Sequence, residues 1–425
     1  MYPMNPSAIY ATEAVYDDPR CVERMNRMLK AMGRDDVVKV DDAELSRLCL
    51  ASGWHEPRLK GEIRPYVDPP ILFNTMKWHT PEEKKARLEK HPALGLGDFP
   101  SGKLAGYIGW DWRGAPKEFK PGSNVRVCQP AHEIHTIAGC PFQCSYCAHL
   151  GDVIVINLNL EEFMARMDGW VDACPEQTLF KWDNATDAPC FEPEYGLTKL
   201  FVDYFAKKPD KYLLLYLGKC ADIDYLLDFD HRGKTIVAFS ITAKTQSTKI
   251  EKGAASTKRR IEALRKCQEA GYIVRVRFSP VFPVKNWRAE NREMIRQLLS
   301  KVTPDVITLC VFGWMDVHKM KRAMDMSLMD PKMLEASEAA ALEMRGKKFG
   351  PLPHEARKEI YRLLIDEVRA VNPDIPMSLC LESVEMWQEF GAELGMRPER
   401  YLCNCGPQCT PGTELYRELA NVKSA

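Results

Sequence analysis

Short apolar runs alternate with helix-patterned segments between about residue 131 and residue 315. Near-continuous apolar runs are typical of strands buried on both faces of a parallel sheet, and apolar residues at helical spacing are typical of the covering helices. The predicted strands are Glu133–Ala138, Thr178–Trp182, Tyr212–Leu217, Thr235–Ile241, Ile273–Phe278 and Asp305–Phe312. The predicted helices are Leu160–Val171, Tyr195–Phe205, Asp222–Leu227, Ser256–Ala270 and Ala289–Val302. Six such repeats predict an α/β fold with right-handed crossovers, whose chemistry lies at the carboxyl ends of the strands.

The amino-terminal part reads as a small α/β lead-in over residues 1–50. Ile9–Val15 and Val37–Val40 are strand-like, and Asp18-Pro19 opens a helix between them. Residues 51–130 are less regular and rich in Gly, Pro and Trp, with one clear helix start at Thr80. Both a surface wrap and a lid over a substrate fit this stretch.

The carboxyl-terminal part is expected to be mostly helical. The predicted elements are helices over Glu338–Met344, Glu355–Val371 and Leu381–Leu394 and a strand over Ile375–Cys380. We therefore divide the chain into a lead-in and wrap (1–130), a core (131–315) and a helical extension with a cysteine-rich tail (316–425).

Composition narrows the class of protein. The 59 basic and 59 acidic residues cancel, which argues against a protein that coats nucleic acid through a strongly basic surface. No apolar run approaches the roughly 20 residues of a membrane helix, so we expect no membrane association. Without an evident signal sequence, the 15 cysteines are expected to be reduced thiols and metal ligands in the cytoplasm.

Three of these cysteines form a motif directly after the first predicted core strand. Cys140, Cys144 and Cys147 have the spacing C-x3-C-x2-C. Three thiolates on one loop suit a [4Fe–4S] cube and leave its fourth iron open. Zinc usually takes four ligands in paired short spacings, and disulfide frameworks suit short secreted chains, so both alternatives fit less well. The spacing is the mark of radical S-adenosylmethionine (SAM) enzymes.

Several further motifs resemble the spore photoproduct lyase family, radical SAM enzymes that reverse a thymine–thymine lesion in DNA. The resemblance covers residues 1–50 and about 131–315. It is carried by the cysteine motif, Phe180–Asp187, Gly218-Lys219, Phe239–Ile241 and Arg260–Tyr272. It implies a partial (β/α)6 barrel of the TIM type, in agreement with the repeat count, and a cluster whose open iron binds SAM.

The resemblance also implies residue roles. Lys219 would pair with the carboxylate of SAM, as a lysine at a strand end can. Ser240 and Thr186 would contact SAM through their hydroxyls, although an ordinary structural serine fits Ser240 equally well. Tyr146 would stack near adenine or relay a hydrogen atom. An electron donor such as flavodoxin or ferredoxin would reduce the cluster.

Two positions depart from the family pattern. Asn184 stands where a family cysteine returns a hydrogen atom to the product radical, and an amide has no weak bond to give. Ala148 stands where the family has a tyrosine. Cys190 could take over hydrogen return, although a plain buried cysteine is the simpler interpretation. Repair of the spore photoproduct itself is therefore in question.

The tail carries a second cysteine motif that the family lacks. Cys403, Cys405 and Cys409 have the spacing C-x-C-x3-C with interleaved Gly and Pro, which favours a metal-binding loop. An auxiliary iron–sulfur cluster, a zinc site and free redox thiols are all compatible with it. Cys380, or a substrate atom, would supply a fourth ligand.

The sequence leaves three functions in competition. In the first, the radical abstracts hydrogen from a thymine-like base or nucleotide, as a DNA-repair lyase or a base-modifying isomerase. In the second, the substrate is a small molecule or peptide, and the tail cluster takes part in its oxidation. In the third, the protein is a non-catalytic metal protein that binds nucleic acid.

Overall fold

The main sheet of the protein has eight strands, and a second sheet of five strands is formed mostly by the amino-terminal part. The computed structural model describes residues 1–54, 68–96, 100, 102–147 and 153–421. Its strands are β1 (Ile9–Thr12), β2 (Val38–Val40), β3 (Ile71–Asn74), β4 (Trp110–Arg113), β5 (Ala131–Ile134), β6 (Ile137–Ala138), β7 (Gln143–Cys144), β8 (Ile154–Asn157), β9 (Leu179–Trp182), β10 (Tyr212–Gly218), β11 (Thr235–Ser240), β12 (Glu251–Lys252), β13 (Ile273–Val281), β14 (Ile307–Val311) and β15 (Met377–Leu379).

The helices lie mainly between consecutive strands of the main sheet. They are α1 (Pro19–Met32), α2 (Asp42–Ser52), α3 (Pro81–Lys90), α4 (Leu160–Asp172), α5 (Leu197–Phe205), α6 (Thr257–Glu269), α7 (Trp287–Leu299), α8 (Val317–Ala323), α9 (Pro331–Ala339), α10 (His354–Val371), α11 (Val384–Phe390) and α12 (Glu414–Asn421). None of the described helices combines the length and apolarity needed to cross a bilayer.

Helix boundaries follow the capping signals of the sequence. The Asp18 side chain accepts a hydrogen bond from the backbone N–H of Arg20 at the start of α1, and Pro19 occupies its first turn. Thr80 and Glu83 form a reciprocal capping box at the start of α3. Both helix starts lie where the sequence predicts them.

The main sheet has the order β15-β14-β13-β11-β10-β9-β5-β4. Neighbours from β5 to β15 are parallel, and β4 pairs antiparallel with β5 at one edge. The sheet does not close, because β15 and β4 are both edge strands. The prediction of a partial parallel barrel is confirmed, with β15 as a seventh parallel strand.

Alternate residues of the barrel strands face two different environments. Leu213 and Leu215 of β10 pack in the large core that includes the helices. Leu214 and Ile236 pack on the opposite face, in a smaller cluster that includes Cys405 of the tail. The strands are therefore buried on both faces, which explains their continuous apolar runs.

The tail reaches this inner face through hydrogen bonds to the barrel strands. Thr178, just before β9, donates its backbone N–H to the Pro407 carbonyl at 2.8 Å. Arg275 of β13, completely buried, pairs with Asp305 at 2.8 Å and donates to the carbonyls of Asn404 and Cys409. The segment 401–413, which we call the tail loop, is thus fixed against the concave side of the sheet.

The five-stranded sheet has the order β2-β1-β3-β8-β6. The predicted strand Glu133–Ala138 is therefore wrong as one element, since β5 belongs to the main sheet and β6 to this second one. The prediction also missed β3 and β8, which pair parallel at the centre of the second sheet.

Three predicted helices need correction. Asp222–Leu227 is only a 3-10 turn over Asp224–Leu226. Glu338–Met344 is not a helix of its own, because the helix there ends at Ala339. Leu381–Leu394 shortens to Val384–Phe390, where Ser383 caps the helix by accepting from the Met386 N–H.

Candidate active site at the carboxyl ends of the strands

The cysteine loop begins directly after β6 and is held from two sides. Gly139 has φ +97°, and a Cβ there would lie 2.8 Å from the Val153 carbonyl oxygen, so only glycine fits without a shift. Cys144 of β7 pairs antiparallel with Glu251 of β12. The loop is thereby fixed against the segment that follows β11.

A cavity of about 360 Å³ opens beside this loop at the carboxyl ends of the barrel strands. We call it the mouth cavity. Its walls come from the cysteine loop and from the segments after β9, β10, β13, β14 and β15. The lining residues are Arg126, Cys140, Phe142, Cys144, Tyr146, Cys147, Asn184, Thr186, Asp187, Tyr216, Gly218, Lys219, Arg277, Ser279, Pro280, Trp314 and Leu381.

Lys219 reaches the mouth cavity from the end of β10. Asp187 accepts hydrogen bonds from the backbone N–H groups of Lys219 (2.6 Å) and Cys220 (3.2 Å). Burial raises the pKa of Asp187 to about 6. Gly218 has φ +56°, and a Cβ there would lie 2.2 Å from Asp187 Oδ2, so this contact explains the glycine.

Tyr146 is anchored in a buried charged network. Its hydroxyl donates to Glu251 at 2.5 Å, and Arg260 contacts the other carboxylate oxygen at 2.6 Å. Burial alone would raise the pKa of Glu251, but Arg260 and Lys219 outweigh it and lower the pKa to about 2. The Lys219 ammonium lies 5.7 Å from the centre of the Tyr146 ring. Burial opposes the charge of Lys219, yet Glu251 and Cys144 outweigh it and raise its pKa.

Two polar atoms in the wall of the mouth cavity have no protein partner. The Thr186 hydroxyl and the Asn184 side-chain oxygen are both buried and make no hydrogen bond within the described part of the chain. Buried polar groups are normally satisfied, so such atoms mark a place where a ligand can bind. Three thiols, a cationic lysine and these two atoms share one cavity, so the residues fit a cluster and a charged, polar cofactor.

Ser240 and Cys190 lie outside the lining of the mouth cavity. Ser240 is completely buried, and its hydroxyl pairs with the Tyr216 hydroxyl at 2.9 Å. Cys190 is also completely buried, and its sulfur lies within 4.8 Å of ligand atoms of Asp187 and Cys220. Ala148 lies outside the described residues.

Sequence reasoning missed an ionic network formed by residues on β4, β5 and β9 and by the residues that directly follow β5 and β9. His135 Nδ1 lies 2.6 Å from Asp183 Oδ1, while Lys181 and Arg113 each lie 3.0 Å from Glu133 Oε1. Burial opposes the imidazolium, but Asp183 and Glu133 outweigh it and raise the pKa of His135 to about 9. Period-2 alternation along β5 and β9 was the available signal, because it places charged residues within apolar strands.

The tail loop brings its three cysteines together. The Cys403 backbone N–H donates to the Cys409 sulfur at 3.4 Å, and Cys405 lies between these two residues on the same short loop. Cys380, at the end of β15, pairs with Cys310 and lies 3.6 Å from an Arg277 nitrogen. Cys128, which the sequence analysis did not single out, lies 2.9 Å from Arg113. None of these six cysteines forms a disulfide.

An open parallel barrel with C-x3-C-x2-C at its mouth defines a protein of the radical SAM class. The family model described as spore photoproduct lyase matches residues 127–351, more than half of the 425-residue chain. The chain therefore belongs to the spore photoproduct lyase family.

Curated and solved relatives agree with this assignment. The spore photoproduct lyase of Clostridium acetobutylicum is 26% identical over 187 residues, which cover 42% of this chain and 55% of that protein. The chain thus matches only about half the length of this curated relative. A spore photoproduct lyase mutant structure has TM-score 0.60 at 16% identity and covers 89% of this chain and 98% of its own. A second mutant, with bound SAM and dinucleoside spore photoproduct, has TM-score 0.56 at 15% identity with coverages of 89% and 98%.

Proposed function

We propose that the protein is a radical SAM enzyme whose cluster is held by Cys140, Cys144 and Cys147. The observation that carries the proposal is the mouth cavity, which combines these cysteines with Lys219 and two unpartnered polar atoms. A [4Fe–4S] cluster with SAM on its open iron supplies a 5′-deoxyadenosyl radical on one-electron reduction. The chain's own residues bind, orient and enclose the reactants.

Four of the lining residues are assigned tasks in this proposal. Lys219 provides the positive charge for the SAM carboxylate, and Glu251 keeps that lysine charged. Thr186 and Asn184 satisfy their buried oxygens on polar groups of the cofactor or substrate. Trp314 donates its indole N–H to the Tyr146 carbonyl at 2.7 Å, which holds an aromatic wall over the cysteine loop.

The proposed substrate is a thymine-like base or nucleotide. Family membership supports it, as does the relative that was solved with dinucleoside spore photoproduct. Arg126 and Arg277 line the same cavity and suit a phosphate group. Because Asn184 replaces the hydrogen-returning cysteine, we expect a lyase-like or isomerising reaction on such a base, without the family's hydrogen return at this position.

The test is anaerobic reconstitution followed by reduction with dithionite and detection of 5′-deoxyadenosine. The wild-type protein should form 5′-deoxyadenosine, and the Cys140→Ala/Cys144→Ala/Cys147→Ala variant should form none. The buried Cys267→Ala in α6 serves as the matched control. SAM cleavage by the triple variant would overturn the assignment.

A second candidate function is radical oxidation of a small molecule or peptide. The observation that favours it is the convergence of the tail cysteines, which we propose hold a second iron–sulfur centre with Cys380 as one candidate for the fourth ligand. Titration with oligonucleotides at several salt concentrations separates the two candidates. DNA binding that weakens steeply with salt favours the base or nucleotide substrate, and its absence favours the small molecule.

The setting of the reaction belongs to the same proposal. We place it in the cytoplasm, with flavodoxin or ferredoxin as electron donor. A non-catalytic metal protein that binds nucleic acid is the remaining alternative, and 5′-deoxyadenosine formation by the wild-type protein would exclude it.

A further inference from the structure

We infer that Cys128 is the fourth thiolate of the second centre, which makes it a fully ligated [4Fe–4S] cluster inside the barrel. The inference rests on the second centre proposed above and not on SAM cleavage. Cys128 precedes β5 by three residues and lies far from the tail in sequence. Only the fold brings the two together.

The tail loop already has the shape of a binding loop for three thiolates. The Cys403 backbone N–H donates to the Cys409 sulfur at 3.4 Å. A Cβ at Gly406 would lie 2.6 Å from the Cys409 sulfur and still closer to the Gln129 side chain, so the loop wraps tightly around its own sulfurs. Arg275 fixes the loop from outside through its carbonyl oxygens. The three sulfurs are therefore presented by a rigid backbone.

Arg113 places Cys128 beside this loop. One guanidinium nitrogen lies 2.9 Å from the Cys128 sulfur, and the other lies 3.5 Å from the Cys405 sulfur. The next residue, Gln129, contacts the Cys409 sulfur through its side-chain oxygen at 3.4 Å. The segment 128–129 thus contacts Cys409 directly and is linked to Cys405 through Arg113.

Cys380 also has Cys405 among its neighbours, but its closest sulfur partner is Cys310. Its sulfur interacts with the Cys310 sulfur, and Arg277 lies 3.6 Å away on the side of the mouth cavity. Cys128, by contrast, shares its arginine directly with a tail cysteine. The geometry thus favours Cys128 over Cys380 as the ligand that completes the set.

The surrounding charges suit an anionic centre. A cube with four thiolates carries net negative charge, which is costly in a barrel interior without cations nearby. Arg113 lies beside Cys128 and Cys405, and an Arg277 nitrogen lies 3.6 Å from the Cys380 sulfur. Cations beside the sulfurs are the expected complement of such a cluster.

At least one pair of the three tail sulfurs lies more than 4.8 Å apart. Ligands of one zinc ion crowd around one atom, whereas the thiolates of a cube bind separate irons. Among the described residues, the one set with three ligand atoms within 4.8 Å of each other is Asp187, Cys190 and Cys220, not the tail cysteines. Asp187 is already bonded to two backbone N–H groups, so that set stays a structural contact.

The test uses the full-length Cys140→Ala/Cys144→Ala/Cys147→Ala protein, in which all cluster iron belongs to the second centre. After anaerobic reconstitution it should contain about four irons per chain and should show the absorbance band typical of a [4Fe–4S] cluster. Adding Cys128→Ala should remove this iron. Adding Cys380→Ala, or the distant buried Cys267→Ala, should leave it in place. Circular dichroism before reconstitution shows whether each variant is folded.

The other outcomes are decisive as well. Iron retained after Cys128→Ala in a folded protein overturns the ligand assignment, and so does equal loss after Cys380→Ala. Zinc in place of iron, or no metal in the starting variant, overturns the second centre itself. None of these results bears on SAM cleavage by the wild-type protein, which is measured separately through 5′-deoxyadenosine.

Discussion

The mouth cavity and the tail loop both gather cysteines inside one barrel, but they differ in the groups that surround those cysteines. At the mouth, Thr186 and Asn184 keep buried oxygens without a partner beside a cavity of about 360 Å³. At the tail loop, Arg113 contacts sulfurs and Arg275 contacts carbonyl oxygens. In our proposal, the first region receives an exchangeable ligand and the second holds a permanent one.

The largest expected difference between the regions is in stability. A structural metal centre contributes to folding free energy, and the tail loop connects β9, β13 and the segment before β5. In the reconstituted protein, Cys403→Ala/Cys405→Ala/Cys409→Ala should lower Tm by several degrees. The Tm of the Cys140→Ala/Cys144→Ala/Cys147→Ala protein should fall much less, and calorimetry measures both values. Equal decreases in Tm would contradict the proposed difference between a permanent and an exchangeable centre.

A smaller effect is expected at the mouth from Gly218→Ala. The new Cβ would lie 2.2 Å from Asp187 Oδ2, in a left-handed backbone conformation. The cost should be on the order of 2–4 kcal/mol of unfolding free energy, measured by urea denaturation. Gly169→Ala in α4 is the control. A Cβ added at Gly169 would have no neighbour within 4 Å outside its own helix backbone, so this substitution should be neutral or stabilising. Similar destabilisation by both would mean that the Asp187 contact is unimportant.

Lys219→Met should weaken SAM binding by about 10–100-fold, the usual loss for a charged hydrogen bond. The reason is that Lys219 lines the cavity beside the cysteine loop and provides the positive charge proposed to pair with the SAM carboxylate. Equilibrium dialysis of the reconstituted protein measures the change. The exposed Lys258→Met in α6 should bind SAM as the wild type does. Unchanged affinity in the Lys219 variant would remove this residue from the binding site.

The smallest expected effect is on the pH dependence of stability. The pKa of His135 is raised to about 9 by Asp183 and Glu133 against the opposing effect of burial, with Lys181 and Arg113 also facing this network. Because the pKa of His135 is higher in the folded protein than in the unfolded chain, its protonation stabilises the fold. This stabilisation is complete below the unfolded pKa of about 6.5 and is lost as the pH rises through the folded pKa of about 9. His135→Asn should therefore flatten the slope of stability between those values by up to about 1.4 kcal/mol per pH unit. An unchanged slope would contradict the ionic pairing.

The sequence was sufficient for the barrel but not for the second sheet. The core strands are apolar runs separated by helices of clear periodicity. Apart from Glu133–Ala138, which divides between two sheets, they lie close to where they were predicted. Ile71–Asn74 and Ile154–Asn157 are four-residue strands, and runs this short cannot be distinguished from other buried segments by periodicity. Their pairing depends on contacts that are distant in sequence.

The candidate site shows the same limit. The cysteine loop was predicted from its spacing, and Lys219 from the family resemblance. Cys128 carries no spacing signal, and its place beside Cys405 arises only when the tail folds onto the barrel. Ser240 was predicted to contact SAM, but which partner its hydroxyl takes, here Tyr216, is decided by side-chain packing that a sequence does not display.

The most direct test of the open-iron site is electron paramagnetic resonance on the reduced Cys403→Ala/Cys405→Ala/Cys409→Ala protein, in which the mouth centre is isolated. We predict about four irons per chain and a spectrum that changes when SAM is added. An iron-loaded protein whose spectrum is the same with and without SAM would contradict the assignment of Cys140, Cys144 and Cys147 to a cluster with a ligand-binding iron.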